Sequence, residues 1–186
     1  MDSEFLKLCW ARRSVRRFAD RPVERDKVEI CLEAARRAPS ADNMQPWRFI
    51  VFDDPEKKAK LAEAVFTGVY AASKRFAAAP VLVCLIIKEH LLVNKVAGAV
   101  QGTQWQLVDA GIGGEHFVLA AAEQGLGTCW IGWYDGRALL KHLGLRGKGY
   151  KPVALIALGC PAADVSPGER PRKSLSDIAF WNEPPR

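Results

Sequence analysis

The pattern of apolar and polar positions along the chain predicts helices that alternate with short strands. Apolar residues recur at helical spacing over 3–12 and again between Pro22 and Pro39. A third helix is predicted to begin at Asp54 and Pro55, because an aspartate side chain accepts a free backbone N–H and proline has none to lose at the first helical position. The inward faces of the second and third helices are predicted to be Val28, Cys31, Leu32 and Ala35, and Leu61, Ala62, Val65 and Phe66.

Four apolar segments predict strands. The runs 80–87 and 152–158 do not alternate with polar residues, so each of these strands is expected to be covered on both faces. Shorter runs at 48–52 and 128–133 complete the set. Strands that alternate with helices predict a layered domain in which helices cover both faces of one sheet, although the pattern does not determine the strand order. Segment 88–103 has no clear pattern, and we interpret it as a mobile flap.

A long helix is predicted from Gln104 to Gln124, and a short one follows at 137–145. The long helix ends before Gly125 and Gly127, a glycine pair that is typical of a helix C-cap. Each glycine inside a helix costs roughly 1 kcal/mol, so a helix that contains several is expected to pack centrally against a partner helix. Its small residues are Ala110, Gly111, Gly113, Gly114, Ala120, Ala121 and Ala122.

The last segment, 161–186, contains five prolines and too few apolar residues to form a core of its own. Ile178, Phe180 and Trp181 nevertheless require burial. Ordering this tail costs conformational entropy that local contacts would hardly offset, which favours an arm that packs on a second subunit over a tail folded back on its own domain. We therefore predict that 1–186 forms one domain of an obligate homodimer. We predict that a strip of small residues on the long helix packs against the partner subunit and not against another helix of the same chain. This strip consists of Ala110, Gly111, Gly114 and Ala121.

The composition is that of an ordinary globular protein of 186 residues, with 49% hydrophobic and 26% charged positions. No window reaches the roughly 18 apolar residues of a membrane span, and the first residues lack the basic-then-apolar order of a signal peptide. We expect a cytoplasmic protein without a membrane partner. The five cysteines and three histidines are dispersed, which argues against a disulfide framework and against a metal site.

The distribution of the net charge of +6 is more informative than its size, because basic residues crowd two places near the ends of the chain. Guanidinium groups bind phosphate in bidentate fashion, so two basic clusters favour one anion held from both sides. A nucleic-acid-binding protein is the rival interpretation, but it would need a basic face with interleaved aromatic residues. A third interpretation is that the basic clusters are ordinary solvated surface. The clusters consist of Arg12, Arg13, Arg16 and Arg17, and of Arg170, Arg172 and Lys173.

No side-chain catalyst stands out in the sequence. There is no Gly-x-Ser-x-Gly elbow, no His-Glu-x-x-His pair and no Walker loop, which leaves either a protein without catalysis or one whose cofactor carries the chemistry. Segment 39–47 offers hydroxyl and amide groups to a heterocycle or polyol, and segment 125–133 combines glycines with tryptophans that can flank a planar ring. Each segment is also compatible with an ordinary turn into a strand.

Four motifs in this order resemble the nitroreductase family, and together they cover nearly the whole chain. The resemblance implies an α+β protein with a three-layer α/β/α fold, in which helices flank a central mixed sheet and the C-terminal arm 161–186 is exchanged in a homodimer. It also implies FMN as the cofactor, bound in a groove between the subunits. The motifs are Arg12-Arg13-Ser14-Val15-Arg16, then Ala38-Pro39-Ser40 with Asn43 and Gln45-Pro46-Trp47, then Gly125-Leu126-Gly127-Thr128-Cys129-Trp130-Ile131-Gly132, and finally Arg170-Pro171-Arg172-Lys173.

The same resemblance implies cofactor-binding residues, carried over position by position. The FMN phosphate and ribityl chain would be held by Arg12, Arg13, Ser14 and Arg16, and the phosphate site would be completed by Arg172 or Lys173. Contacts to the flavin or ribityl chain, some of them from the partner subunit, would come from Pro39, Ser40, Asn43 and Gln45. The isoalloxazine would lie along Ile131, Gly132 and Trp133, with one backbone N–H directed at N5 or O4, and Trp130 is a further ring-flanking candidate.

The implied chemistry takes place on N5 of FMN and involves no catalytic side chain. NADH or NADPH would donate a hydride and leave, and a nitroaromatic, quinone or similar small acceptor would then be reduced in the same site. The alternatives are a specialised reaction such as flavin fragmentation, dehalogenation or oxidation by oxygen, and a flavin-binding protein without turnover. The chain departs from longer family members in its short 88–104 segment, and in having Lys74 but no asparagine within 68–75.

Overall fold

The computed structural model describes residues 3–89, 102–164 and 170–185. Its strands are β1 (Trp47–Phe52), β2 (Val81–Lys88), β3 (Gly127–Ile131) and β4 (Tyr150–Gly159). Its α-helices are α1 (Glu4–Ala11), α2 (Arg25–Arg36), α3 (Pro55–Val65), α4 (Trp105–Glu123) and α5 (Gly136–His142). Short 3₁₀ segments occur at Ala41–Asn43, Gly68–Ala78 and Leu175–Asp177. Most of the predicted flap, residues 90–101, lies outside the described residues.

The strands form one sheet in the order β1-β2-β4-β3, and every neighbouring pair of strands is antiparallel. The predicted mixed sheet is therefore corrected: within the described residues the parallel pairing is an isolated bridge between Ser14 and Thr128. The ends of β1 and β2 show why these two strands are antiparallel. Phe52, the last residue of β1, pairs with Leu82 near the start of β2, so the helical excursion between them returns to the same end of the sheet. Parallel strands would need a crossover to the opposite end.

Helices cover both faces of this sheet, which confirms the three-layer prediction. Alternate residues of β2 point to opposite sides, as the two-residue period of a strand requires. Leu82 packs in a cluster with Leu61 of α3 and Leu139 of α5, whereas Val83 packs in another with Phe117 of α4. The lack of alternation in this strand thus reflects burial on both sides, because Val81 through Ile87 are all at most 1% exposed.

The ends of the elements follow the predicted signals with shifts of a few residues. The Asp54 carboxylate accepts the Lys57 N–H at 2.8 Å and caps α3. At the end of α4, Gly125 has a φ of +73°, and the Leu126 N–H donates to the Ala121 carbonyl at 2.9 Å, which is the C-cap geometry that favours glycine. Two predicted boundaries were wrong.

The first of these boundaries is the start of α2, which is Arg25 and not Pro22. Asp20 and Arg21 form a bend before the helix, in which the Arg21 N–H donates to the Ala19 carbonyl at 2.9 Å. The second is the end of β3, where the strand stops at Ile131. Gly132 and Trp133 therefore lie beyond the strand, on the surface.

The small residues of α4 pack inside the chain, which corrects the prediction that they meet a partner subunit. Ala110 and Ala121 are fully buried. A Cβ on Gly114 would lie 2.6 Å from Cζ2 of Trp130 and 3.2 Å from Cδ2 of Leu85, so this glycine makes room for an indole of the neighbouring strand. Gly111 differs from them, because it is exposed. The small residues of α4 thus pack mainly against the sheet and α2 of the same chain.

The described part of the tail, 170–185, is exposed along its whole length. Its apolar side chains Ile178, Phe180 and Trp181 are 65%, 48% and 88% exposed. A tail with this composition is thus not folded into the core of its own domain. Among the described residues, no helix combines the length and the apolar character needed to cross a membrane.

Candidate functional site

A cleft lined by arginines lies where α1 ends. Arg12 adopts an extended backbone and stops the helix, and the chain then runs beside β3, where the Val15 N–H donates to the Thr128 carbonyl at 2.8 Å. Val15 is buried and anchors this segment. Arg12 and Arg13 line a cleft of about 210 Å³, whose opposite wall comes from the end of α4 and the start of β3.

Arg12 has an acidic neighbour at the edge of the cleft. Nε of Arg12 lies 3.9 Å from Oε1 of Glu115 on α4. Partial burial raises the pKa of Glu115, and the positive charge of Arg12 opposes that rise. Arg12 and Arg13 thus bring two guanidinium groups to the cleft lining, and guanidinium groups suit an anion such as a phosphate.

Residues of both predicted basic clusters act electrostatically on one thiol of β3. Burial raises the pKa of the Cys129 thiol on β3, and the positive charges of Arg16, Arg75 and Arg170 oppose that rise. Arg16 and Arg170 thus act on the same buried group, although they come from opposite ends of the chain. Arg75, in the Gly68–Ala78 segment, was not predicted, and its signal in the sequence was its position beside Lys74.

Four of the predicted phosphate and ribityl contacts are not among the residues that line the cleft, namely the half-buried Ser14 and the exposed Arg16, Arg172 and Lys173. Arg16 is exposed, and its Nη1 donates to the Ser14 carbonyl at 3.4 Å. Arg172 and Lys173 lie on the exposed tail, where Nη1 of Arg172 donates to the adjacent Pro171 carbonyl at 3.4 Å. The described chain therefore does not bring these two tail residues to its own Arg12 and Arg13.

The loop before β1 is preorganised and contains the predicted polar residues. Asp42, Asn43 and Gln45 have φ values of 50°, 54° and 45°. A non-glycine residue in this left-handed region costs about 1–3 kcal/mol, and such strain clusters at functional sites. Ser40 Oγ accepts the Gln45 N–H at 2.9 Å, and Gln45 Nε2 donates to Asn43 Oδ1 at 2.9 Å. The loop thus groups Ser40, Asn43 and Gln45 as predicted, beside the exposed Pro39.

This loop packs against the first turns of α4, a contact that the sequence pattern does not predict. The Ala41 N–H donates to Oδ1 of Asp109 at 3.0 Å, and Asp109 is only 4% exposed. The same carboxylate residue lines a cavity of about 170 Å³ together with Pro39, Ser40 and Trp105. The available signal was an aspartate within an otherwise apolar helix, which on its own is also compatible with a solvent-facing residue.

The arginine cleft and the loop cavity occupy different parts of α4. Ile112 lines the cavity and Ala122 lines the cleft. Ten residues of α-helix span roughly 15 Å at 1.5 Å per residue. Arg12 reaches from the cleft toward Glu115, three residues from Ile112, so a ligand can use both sets of donors by extending along α4 or by receiving one set from a second copy of the chain.

The residues at the end of β3 face in different directions. The Trp130 indole packs over Gly114 and is half-buried, and its role as a ring-flanking side chain stays a prediction. Ile131 is 3% exposed and belongs to the cluster on the opposite face of the sheet, which leaves its backbone for a ligand. Gly132 is exposed. Trp133 is exposed too, but its Nε1 donates to the Val69 carbonyl at 2.8 Å and its ring lies 5.3 Å from that of Tyr70.

The sequence model of the nitroreductase family matches residues 10–160. The chain belongs to this family. The matched range includes the arginine cleft, the 39–45 loop and all of β3, so three of the four motifs that carried the resemblance fall within it. Nitroreductases are oxidoreductases, and the chain is one of them.

Relatives with related names match over most of this nitroreductase. A protein of Archaeoglobus fulgidus, named as an NADH dehydrogenase/NAD(P)H nitroreductase, is 34% identical over 75% of this chain and 74% of its own length. The NADH dehydrogenase of Thermus thermophilus is 31% identical over 91% of this chain and 92% of its own. The crystal structure of a Desulfovibrio desulfuricans protein, named as a nitroreductase in complex with FMN, is 28% identical, covers 100% of both chains and has a TM-score of 0.76.

Proposed function

We propose that the chain binds FMN and uses NADH or NADPH to reduce small acceptor molecules. Family membership supports an oxidoreductase, and the related Desulfovibrio structure contains FMN. The names of the Archaeoglobus and Thermus relatives support a nicotinamide donor. The observation that carries the proposal is the presence in one chain of a cleft lined by Arg12 and Arg13 and a strained, polar loop at 39–45.

The donors in these two places fit the chemical parts of FMN. Guanidinium groups suit its terminal phosphate, and the Ser14 hydroxyl is half-buried nearby. The hydroxyl and amide groups of Ser40, Asn43 and Gln45 suit the ribityl hydroxyls and the polar edge of the ring. FMN is favoured over FAD because the sequence has no Gly-x-Gly-x-x-Gly turn of the kind that holds a dinucleotide pyrophosphate.

The chain's own residues would position the reactants. Bound FMN supplies a ring that accepts and donates a hydride, so no side chain needs to act as a catalyst. Gly132 lies exposed just after β3, where a backbone N–H can stabilise negative charge on the ring. The exposed Trp133 and the half-buried Tyr70 form an aromatic pair beside it, which suits flat acceptors such as nitroaromatics and quinones.

The functional unit in this proposal is a homodimer whose subunits share each site. Trp105 and Val108 on α4 are 44% and 43% exposed, next to the 39–45 loop, and the tail is exposed as well. A second copy would cover these apolar side chains. It would also bring its own 39–45 loop to Arg12 and Arg13, so that each site takes donors from both subunits.

The decisive experiment examines the purified, full-length protein. Heat-released cofactor should have the mass of FMN, and the protein-bound flavin should lose its yellow colour when NADH or NADPH is added without oxygen. A quinone or nitroaromatic acceptor should then restore the colour. An adenine-containing flavin, or no flavin after reconstitution, would contradict the proposed cofactor. A flavin that is bleached but not reoxidised by these acceptors would replace the proposed acceptor class with one of the specialised reactions.

Replacing Arg13 or Arg172 by alanine is expected to weaken FMN binding about tenfold or more, because a hydrogen bond to a charged group is worth roughly 1.5–3 kcal/mol. The measurement is the FMN dissociation constant from flavin fluorescence quenching, with thermal unfolding recorded alongside. Arg36→Ala is the matched control, since Arg36 lies on the exposed side of α2, where its Nε donates to Glu33 at 2.6 Å. Equal losses in all three variants would mean that binding depends on net charge alone.

A further inference from the structure

The loop of residues 39–45 holds its shape in a costly conformation, so something outside it must fix its position. Asp42, Asn43 and Gln45 all have left-handed backbones, and residues of this kind persist only when their surroundings over-determine them. The hydrogen bonds from Gln45 to Ser40 and Asn43 stabilise the loop internally. They do not determine where the loop lies relative to the rest of the site.

Asp109 provides an external attachment for this loop. It lies in the second turn of α4, and its Oδ1 accepts the N–H of Ala41, the first residue of the 3₁₀ turn Ala41–Asn43. Ser40, which precedes this turn, makes no side-chain cap to it. The Asp109 carboxylate thus supplies from another element the acceptor that an N-cap residue supplies in an ordinary helix. Since Asp109 is 4% exposed, water screens this hydrogen bond little.

We propose that Asp109 is a positioning residue for the cofactor: it fixes the 39–45 loop on α4 and thereby places Ser40, Asn43 and Gln45 for flavin binding. This inference rests on the proposed function. The required property is a buried hydrogen-bond acceptor at this position, and its negative charge is secondary. We infer no contact between Asp109 and the flavin. Asp109 therefore affects flavin binding only through the backbone of the loop.

The test compares Asp109→Ala with Asp109→Asn in the full-length protein. Asparagine keeps a carbonyl oxygen that can accept the Ala41 N–H, whereas alanine removes the acceptor and leaves a buried donor unpaired. We expect the alanine variant to bind FMN about tenfold more weakly or worse, and to show a shifted visible absorption band at saturating FMN. We expect the asparagine variant to stay within about threefold of the wild type and to keep its spectrum.

Val118→Ala is the control for general damage to α4. Val118 is fully buried in the cluster that also contains Val28 of α2, away from the loop. This variant should unfold at a lower temperature because it leaves a cavity, yet its FMN affinity and flavin spectrum should remain those of the wild type. A loss of affinity in Val118→Ala as large as that in Asp109→Ala would overturn the positioning role.

Hydrogen exchange of the loop amides tests the same attachment without the flavin. The Ala41 and Gln45 amides should exchange faster in Asp109→Ala and at the wild-type rate in Asp109→Asn. Unchanged exchange in the alanine variant, or equal losses of affinity in both Asp109 variants, would overturn the inference. If the wild-type protein binds no FMN, the proposed function fails, and the exchange rates still decide whether Asp109 fixes the loop.

Discussion

Removal of residues 176–186 is expected to turn a flavin-loaded dimer into monomers that retain little FMN. The segment carries Ile178, Phe180 and Trp181, which are largely exposed on the single chain and cannot contribute to its core. If they pack on a second subunit, they belong to an interface above roughly 2,000 Å², the range typical of obligate dimers. Light scattering at micromolar protein measures the assembly, and the absorbance ratio of flavin to protein after gel filtration measures retention.

The matched control for this truncation removes residues 184–186 alone. This deletion shortens the same tail by two prolines and an arginine and leaves its apolar side chains in place, so dimer and flavin should both persist. An active, flavin-loaded monomer after the larger truncation would refute the shared site. Every role assigned to the partner's 39–45 loop would then return to a single chain.

Gly114→Ala is expected to destabilise the protein, although alanine is the better helix former by about 1 kcal/mol. The added methyl group would overlap the Trp130 indole and crowd Leu85, and overpacking of this kind typically costs about 1–3 kcal/mol. For a chain of this size, each kcal/mol lowers the unfolding temperature by roughly 2–4 °C. Differential scanning calorimetry at fixed protein concentration gives the sign and the size of the change.

Gly111→Ala, three residues earlier on the same helix, separates packing from helix propensity. A Cβ at Gly111 has no neighbour within 4 Å among the residues that the structure describes, so alanine there is expected to raise stability slightly. A stabilised Gly114→Ala variant would contradict the assigned packing of Trp130. A destabilised Gly111→Ala variant whose unfolding temperature depends on concentration would place the partner's backbone against this part of α4.

The sequence by itself determined the local elements and the chemistry of the candidate site. Unalternating runs identified β2 as buried on both faces, and Asp54 with Pro55 marked the start of α3, because burial period and capping act over a few residues. The family also followed from the sequence, since motifs around Arg12, Pro39 and Gly125 are contiguous in the chain. Arginines beside serine, and amides between prolines, are compatible with phosphate and heterocycle binding, and the roles of these residues stay predictions.

The tertiary structure decided how these pieces are used, because the relevant contacts join residues far apart in the chain. The small residues of α4 suggested a partner helix, but which surface lies against Gly114 depends on Trp130 of the sheet. The direction of β2 relative to β1 depends on the end of the sheet to which the connection through α3 leads. No local sequence pattern determines that end. The hydrogen bond between Ala41 and Asp109 joins residues 68 positions apart in the sequence. It forms only when the tertiary structure places the loop against α4.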